Sequence, residues 1–193
     1  MYGLFLRALQ AYVGTTFGGI AWAQVMSRAG MAGEGFEPLM SYDALTFRKV
    51  MTAAGKVLER PAEAMLEDVG TYIVTRNPNA APRRLLRFGG ATFSEFLLSL
   101  EELPDRARLA LPDIDFPRLT LAERTPGEFR LSCRTEVPEL AHVLLGVLSA
   151  MADDYGALVV IGVDPPARGK ASLTIRLAEV SFAEAQRFHL VAG

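Results

Sequence analysis

Few of the residue types that carry out catalysis or bind metals occur in this sequence in a recognisable arrangement. The chain has two histidines, His142 and His189, and one cysteine, Cys133. Common metal sites use paired cysteines or two histidines a few residues apart, and neither spacing is present. The glycine-rich phosphate-binding patterns and the G-x-S-x-G pattern of a nucleophilic serine are absent as well. The sequence therefore predicts no catalytic residue and no metal ion.

Two pairs of neighbouring carboxylates are the remaining candidates for acid–base chemistry. They are Glu101 with Glu102 and Asp153 with Asp154. Each pair lies near the end of a predicted helix, where charged side chains are usually solvated. We interpret both pairs as surface charges, and an enzyme with an unrecognised site is kept only as an alternative.

One proline interrupts a helical pattern. The segment SLEELPDRARLALP, from Ser99 to Pro112, continues an amphipathic helix whose apolar residues are Phe93, Phe96, Leu97, Leu100 and Leu103. Pro104 stands where that apolar face should continue, and a proline inside a helix costs roughly 3 kcal/mol because it removes a backbone donor and clashes with the preceding turn. Two compatible interpretations stay open. Pro104 begins a new helical turn, since prolines favour the first turn, or the position no longer has to present a functional side chain.

The composition is that of an ordinary globular protein. The chain has 193 residues, half of them hydrophobic, which is enough to bury a core in a single domain over residues 1–193. Its formal net charge of −2 provides no general attraction to nucleic acids or anionic membranes, so we expect neither as a partner. No apolar run reaches the roughly 18 residues of a membrane-spanning helix. A single cysteine is typical of a reducing compartment, and we expect a cytoplasmic protein.

The hydrophobic pattern changes once along the chain. From Met1 to about Leu111 the apolar residues recur every three to four positions, which predicts helices with breaks at Gly18, Gly30 and residues 77–82. From about residue 112 to 179 the pattern predicts two β-hairpins separated by a long helix from about Pro138 to Asp153. We therefore predict an α+β fold, a helical part followed by a ββαββ unit. Both hairpins should form one antiparallel sheet with the long helix packed on it. The tail, residues 180–193, gives no prediction of structure.

Eight residues near the N-terminus form a pattern shared with a known family. They are Met1, Gly3, Val13, Phe17, Gly18, Trp22, Ala29 and Gly30. In this order they resemble the start of the haem nitric oxide and oxygen binding family, the H-NOX domains. The arrangement of helices followed by ββαββ is also similar to that family's, so the resemblance extends over nearly the whole chain. It implies an H-NOX-like fold and a sensor rather than an enzyme.

The resemblance also implies an iron ligand that this sequence lacks. The family holds haem through a histidine that follows a leucine and precedes two spaced prolines. The matching residues are Leu103, Pro104, Pro112 and Pro117, with Pro104 at the position of the histidine. Because proline has no lone pair to offer iron, the axial bond cannot form there.

A second element of the family's haem site has also changed. The Y-x-S-x-R clamp, which holds the haem propionates, matches Cys133, Thr135 and Val137. Only the hydroxyl of Thr135 is retained, and the charge-assisted contacts of the arginine are lost. The resemblance therefore implies a degenerate member with no haem cofactor.

One histidine leaves a haem-binding alternative open. His142 matches a position where some oxygen-binding members carry a distal tyrosine, and an imidazole there could bind iron from the opposite side. The propionates would then need new partners, for which Arg83, Arg84 and Arg87 are candidates, although such a run is more often a solvated face. We interpret Cys133 as a small buried hydrophobe rather than as a thiolate ligand.

The pocket of the family would have an apolar wall in this chain. Its residues would be Phe5, Leu9, Ile73, Leu100, Leu103, Pro117 and Leu144. Together with Pro104, Cys133, Thr135, Val137 and His142 they form the candidate ligand pocket. Either the wall residues fill the space, or they line a slot for an apolar molecule such as a fatty-acid chain. The polar end of such a ligand would lie near Thr135 and His142.

The resemblance implies a haem-free sensor or protein-interaction domain that regulates a signalling partner. Bacterial members of the family usually act on a separate histidine kinase or diguanylate cyclase, so an enzyme of one of these classes is the expected partner. Two alternatives stay open. The first is a haem-based sensor of nitric oxide or oxygen that uses His142, and the second is the enzyme with an unrecognised site.

Overall fold

Four helices form the first half of the molecule in the computed structural model. The structure describes residues 3–31, 35–38, 40–76, 86, 89–110, 117–165, 167 and 169–178. The helices are α1 (Gly3–Thr16), α2 (Gly19–Arg28), α3 (Ala44–Leu58) and α4 (Ala62–Thr75). α4 ends at Thr75, just before the break predicted at residues 77–82. That break and the tail, residues 180–193, lie outside the described residues.

Local capping residues determine where α3 begins and ends. The Asp43 side chain accepts a hydrogen bond of 2.7 Å from the backbone N–H of Thr46, which satisfies one of the free donors of the first turn. The helix ends at Glu59, whose φ of 52° places it in the left-handed region. Pro61 then precedes α4, where its fixed φ is compatible with the start of a helix.

The helix around Pro104 continues through a tighter turn. α5 (Phe93–Ser99) begins with a capping box between Thr92 and Glu95, and the residues Leu100–Glu102 form a 3₁₀ turn. α6 (Leu103–Ala110) follows, so that Pro104 occupies its first turn. No intrahelical partner exists for an N–H at this position, and the proline is therefore accommodated at little cost. This arrangement confirms the prediction that Pro104 begins a new helical turn.

The second half is a four-stranded antiparallel sheet with one helix packed on it. The strands are β1 (Leu119–Thr125), β2 (Glu128–Arg134), β3 (Val159–Val163) and β4 (Lys170–Leu177), in the order β1-β2-β4-β3. A 3₁₀ turn (Pro138–Leu140) leads into the helix α7 (Ala141–Tyr155) between the hairpins. Both hairpins belong to one sheet, and the predicted α+β fold is confirmed.

Two glycines bring α4 and α7 into direct backbone contact. A Cβ atom on Gly70 would overlap the carbonyl oxygen of Val143, and a Cβ atom on Gly146 would overlap the carbonyl oxygen of Glu67. The Thr71 hydroxyl donates a hydrogen bond of 3.4 Å to the carbonyl oxygen of Gly146 across the same contact. This helix pair joins the helical half to the sheet half.

Two hydrophobic clusters lie on either side of this helix pair. The first cluster is formed mainly by α1 to α4 and includes Leu6, Val13 and Met65. The second cluster lies between α5, α7 and the sheet and includes Phe96 and Leu173. Within the described residues, no helix has both the length and the apolar character needed to cross a membrane.

Candidate functional site

Pro104 is buried within the first turn of α6. The neighbouring turn is held by Arg106, whose Nη2 donates a hydrogen bond of 2.9 Å to the carbonyl oxygen of Ser99. That carbonyl lies at the change from α to 3₁₀ geometry, where regular helical bonds are interrupted. The position that matches the family's axial histidine is therefore part of a closed backbone turn.

The three positions of the clamp lie at the end of β2 and in the loop that follows. Cys133 is buried on β2, and this burial raises the pKa of its thiol. A buried thiol with a raised pKa is mostly protonated, which disfavours its use as a metal ligand. Val137 is fully buried and packs in the first hydrophobic cluster.

The retained hydroxyl of the clamp is used inside its own turn. Thr135 Oγ1 accepts a hydrogen bond of 3.0 Å from the N–H of Val137 and donates one of 3.3 Å to the carbonyl oxygen of Val137. The backbone N–H of Thr135 donates to the carbonyl oxygen of Gly169 in the loop before β4. Thr135 therefore stabilises the loop between β2 and α7, and its donor proton is already engaged.

His142 lies one residue into α7, immediately after the 3₁₀ turn. Its side chain is half-buried between the buried residues Ala141 and Val143. In the part of the chain that the structure describes, no group of three or more His, Cys, Asp or Glu side chains could hold a metal ion. Arg83, Arg84 and Arg87, the candidates for new propionate partners, lie outside the described residues.

The predicted pocket wall is divided between the two hydrophobic clusters. Phe5, Leu9 and Ile73 pack in the first cluster. Leu100, Leu103 and Leu144 pack in the second cluster. Pro117 is half-buried and precedes β1. The wall residues therefore belong to two separately packed groups, and a ligand between them stays a prediction.

An open polar pocket lies beside the former clamp. It has a volume of about 440 Å³ and is lined by Ser41, Tyr42, Asp43, Arg134, Thr135, Glu136 and Gly169. Arg48 of α3 donates a hydrogen bond of 2.8 Å to the carbonyl oxygen of Glu136 and so ties α3 to this loop. The family resemblance places Thr135 at the polar end of the former haem pocket. The contact of its loop with the segment before α3 was not predicted, because it joins residues far apart in the chain.

A buried tyrosine joins α1 to α4. The Tyr12 hydroxyl donates a hydrogen bond of 2.8 Å to Asp68 Oδ2 and accepts one of 3.1 Å from Arg60 Nη1. Arg60 also forms an ion pair of 2.6 Å with Asp68. Burial, followed by the hydrogen bond and charge of Asp68, raises the pKa of Tyr12 to about 12. No sequence pattern predicted this network, since its members come from three separate segments of the chain.

A second polar network lies on the face of the sheet opposite to α7. Asp164 accepts a hydrogen bond of 2.8 Å from the Thr174 hydroxyl and pairs with Arg130 at 2.8 Å. Burial alone would raise the pKa of Asp164, but hydrogen bonds from Thr174 and Ser172 and the charge of Arg130 lower it overall. These contacts hold the loop after β3 against β2 and β4, which is a structural role.

Comparisons with known proteins agree with this architecture. A family model described as haem-NO-binding (HNOB) matches residues 2–163. The chain is 21% identical over 154 residues to the soluble guanylate cyclase gcy-31 of Caenorhabditis elegans. That match covers 80% of this chain and 22% of the cyclase, so the chain spans only a minor part of that relative's length.

Two solved structures share the fold at low sequence identity. The unliganded Fe(II) H-NOX protein from K. algicida has a TM-score of 0.74 and 14% identity, over 92% of this chain and 96% of that protein. An H-NOX protein from S. oneidensis in the Fe(II)NO ligation state has a TM-score of 0.73 and 15% identity, over 92% of this chain and 99% of that protein. At these identities the similarity shows the fold. Because the family model also covers most of the sequence, the chain belongs to the haem-NO-binding family.

Proposed function

We propose that this protein is a haem-free H-NOX domain that regulates a signalling partner through protein contacts, and that it is not an enzyme. The observation that carries the proposal is Pro104, a buried proline at the position of the family's axial histidine. A haem iron in this fold needs a nitrogen, sulfur or oxygen ligand from the protein. Pro104 offers no such atom, because its only nitrogen is part of the peptide bond and its ring is hydrocarbon.

The former clamp supports the same proposal. Haem propionates are carboxylates, and a buried carboxylate needs a cation or several donors to offset the loss of water. Val137 has no polar side-chain atom and is fully buried, while the Thr135 hydroxyl is bonded to its own turn. These residues do not fit a haem.

The packing of the wall residues supports a filled interior. Leu9 and Leu100 are almost fully buried, and each packs in its own cluster. An empty cavity of haem size would cost many kcal/mol, since large-to-small changes alone cost about 2–5 kcal/mol per side chain. Side chains that close the space therefore stabilise the fold without a cofactor.

The proposed partner is a signalling enzyme. One relative is named as a soluble guanylate cyclase, and this chain matches only a minor part of it. A histidine kinase or diguanylate cyclase is the partner that we propose. Conformational changes of the domain, rather than chemistry within it, would then alter the partner's activity.

Absorption spectroscopy with added haemin tests the haem-free state. We expect no Soret band on purification, no stoichiometric uptake of haemin, and no rise of the unfolding midpoint with excess haemin. Pro104→His alone should recover haem only weakly, because the clamp is still missing. A stoichiometric complex in the wild type whose Soret peak disappears in His142→Ala would contradict the proposal and establish the gas-sensor alternative.

A second candidate function is the binding of an apolar molecule in the former pocket. It rests on the purely apolar side chains of Phe5, Leu9 and Leu144. The Thr135 proton is engaged in its own turn, so His142 would be the hydrogen-bond donor for the polar end of the ligand. Native mass spectrometry and lipid extraction of protein purified without detergent test it, together with Leu9→Trp. If no bound species is found, and Leu9→Trp leaves partner binding and the melting temperature unchanged, this candidate fails while the haem-free proposal stands.

A further inference from the structure

Four cationic side chains line one open pocket on the outer side of α2 and α3. Arg28 comes from the end of α2, and Arg48, Lys49 and Lys56 come from α3. The pocket has a volume of about 310 Å³, and its other lining residues are Ala29, Leu45, Thr52 and Ala53. This concentration of positive charge contrasts with the formal net charge of −2 for the whole chain.

The helix dipole favours only two of the four cations at their positions. Arg28 and Lys56 lie in the last turns of α2 and α3, where the helix dipole favours cations. Arg48 and Lys49 lie in the second turn of α3, closer to its positive end, where the dipole offers them no stabilisation. Arg48 is also held by its hydrogen bond to the carbonyl oxygen of Glu136, so Lys49 is the cation whose position neither the dipole nor a side-chain contact explains.

The positive charge of the pocket is largely uncompensated. Among the residues that the structure describes, no carboxylate forms an ion pair within 4.0 Å with any of the four cations. Arg48 donates to the carbonyl oxygen of Glu136, which is a neutral group. The charge of Lys49 also acts on Asp43. Hydrogen bonds from Thr46 are the main cause of the lowered pKa of Asp43, and the positive charge of Lys49 lowers that pKa by a smaller amount.

The remaining surface of the pocket is apolar. Leu45 is 60% exposed and contributes apolar surface to the pocket. Ala29 and the buried Ala53 form the adjoining floor, and the Thr52 hydroxyl adds one neutral donor. A ligand that fits these features has a compact anionic group and an apolar part. Small-molecule pockets usually measure about 300–1,000 Å³, so the space suits one small ligand.

We infer that this basic pocket binds the phosphate group of a small organic phosphate whose apolar part packs on Leu45 and Ala29. A dianionic phosphate suits a pocket lined by four cations better than a single carboxylate does, because arginine and lysine both donate charge-assisted hydrogen bonds to it. All four cations line one pocket of about 310 Å³, and the chain as a whole has a formal net charge of −2, which argues against nucleic acid as the occupant. The site is separate from the former haem pocket and does not depend on the proposed function.

Isothermal titration with phenyl phosphate in a phosphate-free buffer of low ionic strength tests this inference. We expect saturable one-to-one binding to the wild type, and inorganic phosphate should bind more weakly because it lacks the apolar part. Lys49→Gln should raise the Kd about tenfold, or about 1.4 kcal/mol, because it removes a charge-assisted hydrogen bond to the phosphate. Arg28→Gln, on the other wall, should raise it similarly.

Lys170→Gln is the matched control, because it removes one positive charge from an exposed residue on the sheet. It should leave the Kd within about twofold if the pocket rather than the net charge attracts the ligand. Equal weakening by Lys49→Gln and Lys170→Gln, or no saturable binding to the wild type, would overturn the inference. Tight binding of a hexaglutamate peptide that phenyl phosphate does not displace would also overturn the inference, since the occupant would then be an acidic protein segment. Circular dichroism melting of each variant checks that it is folded.

Discussion

At the scale of single residues, a haem ligand can be lost without harm to the fold when its position tolerates the replacement. Pro104 lies in the first turn of α6, where a backbone N–H has no intrahelical acceptor. The proline therefore removes the chemistry expected at this position while it keeps the helix. The same substitution three or four residues later would remove a helical hydrogen bond.

Two variants, one that removes a proline and one that adds a proline, measure how the cost of a proline depends on its position in α6. Pro104→Ala should lower the free energy of unfolding by about 1 kcal/mol or less, because it mainly increases the entropy of the unfolded chain. Arg108→Pro, in the same helix, should cost about 3 kcal/mol through the lost bond and the clash with the preceding turn. Urea unfolding of both variants is the measurement. A larger loss for Pro104→Ala than for Arg108→Pro would show that the proline has a packing role that its helix position does not explain.

The protonation of the Tyr12 hydroxyl is linked to the free energy of unfolding. Its pKa is about 12 in the folded protein, against an ordinary value of 10.0, so the folded state holds the proton more tightly than the unfolded state. The resulting stabilisation is fully present below pH 10 and is lost as the pH rises through about 12. Its origin is the buried hydroxyl between Asp68 and Arg60.

Tyr12→Phe should remove this dependence. At pH 8 we expect the variant to be less stable than the wild type by about 1 kcal/mol, the net contribution of a typical hydrogen bond. The wild type should lose this advantage as the pH rises above 10, because the unfolded chain then releases the Tyr12 proton more readily than the folded protein does. Chemical unfolding measured between pH 8 and pH 11.5 tests this, over a range set by the ordinary and raised pKa values. A constant difference over that range would mean that the Tyr12 proton is not linked to folding.

At the scale of elements, the α4–α7 contact depends on the absence of two side chains. The backbones meet at Gly70 and Gly146, where a Cβ atom on either glycine would overlap a carbonyl oxygen of the other helix. Backbone atoms in two packed helices cannot move aside separately, so an added methyl group must push the helices apart.

Gly146→Ala should therefore destabilise the protein by about 2 kcal/mol or more, the usual range for an overpacked core position. Gly14→Ala is the matched control in α1, where an added Cβ meets no atom within 4 Å. It should stabilise the protein by about 0.5–1 kcal/mol, since alanine is the better helix former. Thermal or urea unfolding of both variants compares them. Destabilisation of similar size in both variants would contradict the close contact between α4 and α7.

Helices and strands were predictable from the sequence where apolar residues recur with a regular spacing. Contacts between segments that are distant in the chain were not predictable in this way. The alternation of residues in β2 and the helical spacing of α7 predicted the ββαββ unit, which the structure confirms. The identities of Pro104 and Val137 were informative only through the family resemblance. The Thr135 turn and the basic pocket beside Lys49 arise from tertiary packing, which no periodic pattern encodes.

At the scale of the whole molecule, the fold is shared with H-NOX structures at 14% and 15% identity. The helices and the sheet of these structures are retained in this chain, whereas the residues that the resemblance places at the axial and clamp positions differ from the family pattern. Such a separation of fold and site is physically reasonable, because folds depend on the pattern of apolar positions and sites depend on single side chains. In the proposed haem-free state, packing alone holds the two halves together.

The two hydrophobic clusters should unfold together, because α4 and α7 contribute to both. Met65 and Val143 belong to the first cluster, while Val74 and Met151, on the same two helices, belong to the second. Trp22, the single tryptophan, packs against the first cluster and reports on it by fluorescence. Far-ultraviolet circular dichroism reports on both halves. We expect the urea midpoint from Trp22 fluorescence to coincide with the midpoint from circular dichroism, both with and without haemin. Two separate midpoints, or midpoints that merge only when haemin is added, would show that the halves need a cofactor to act as one unit.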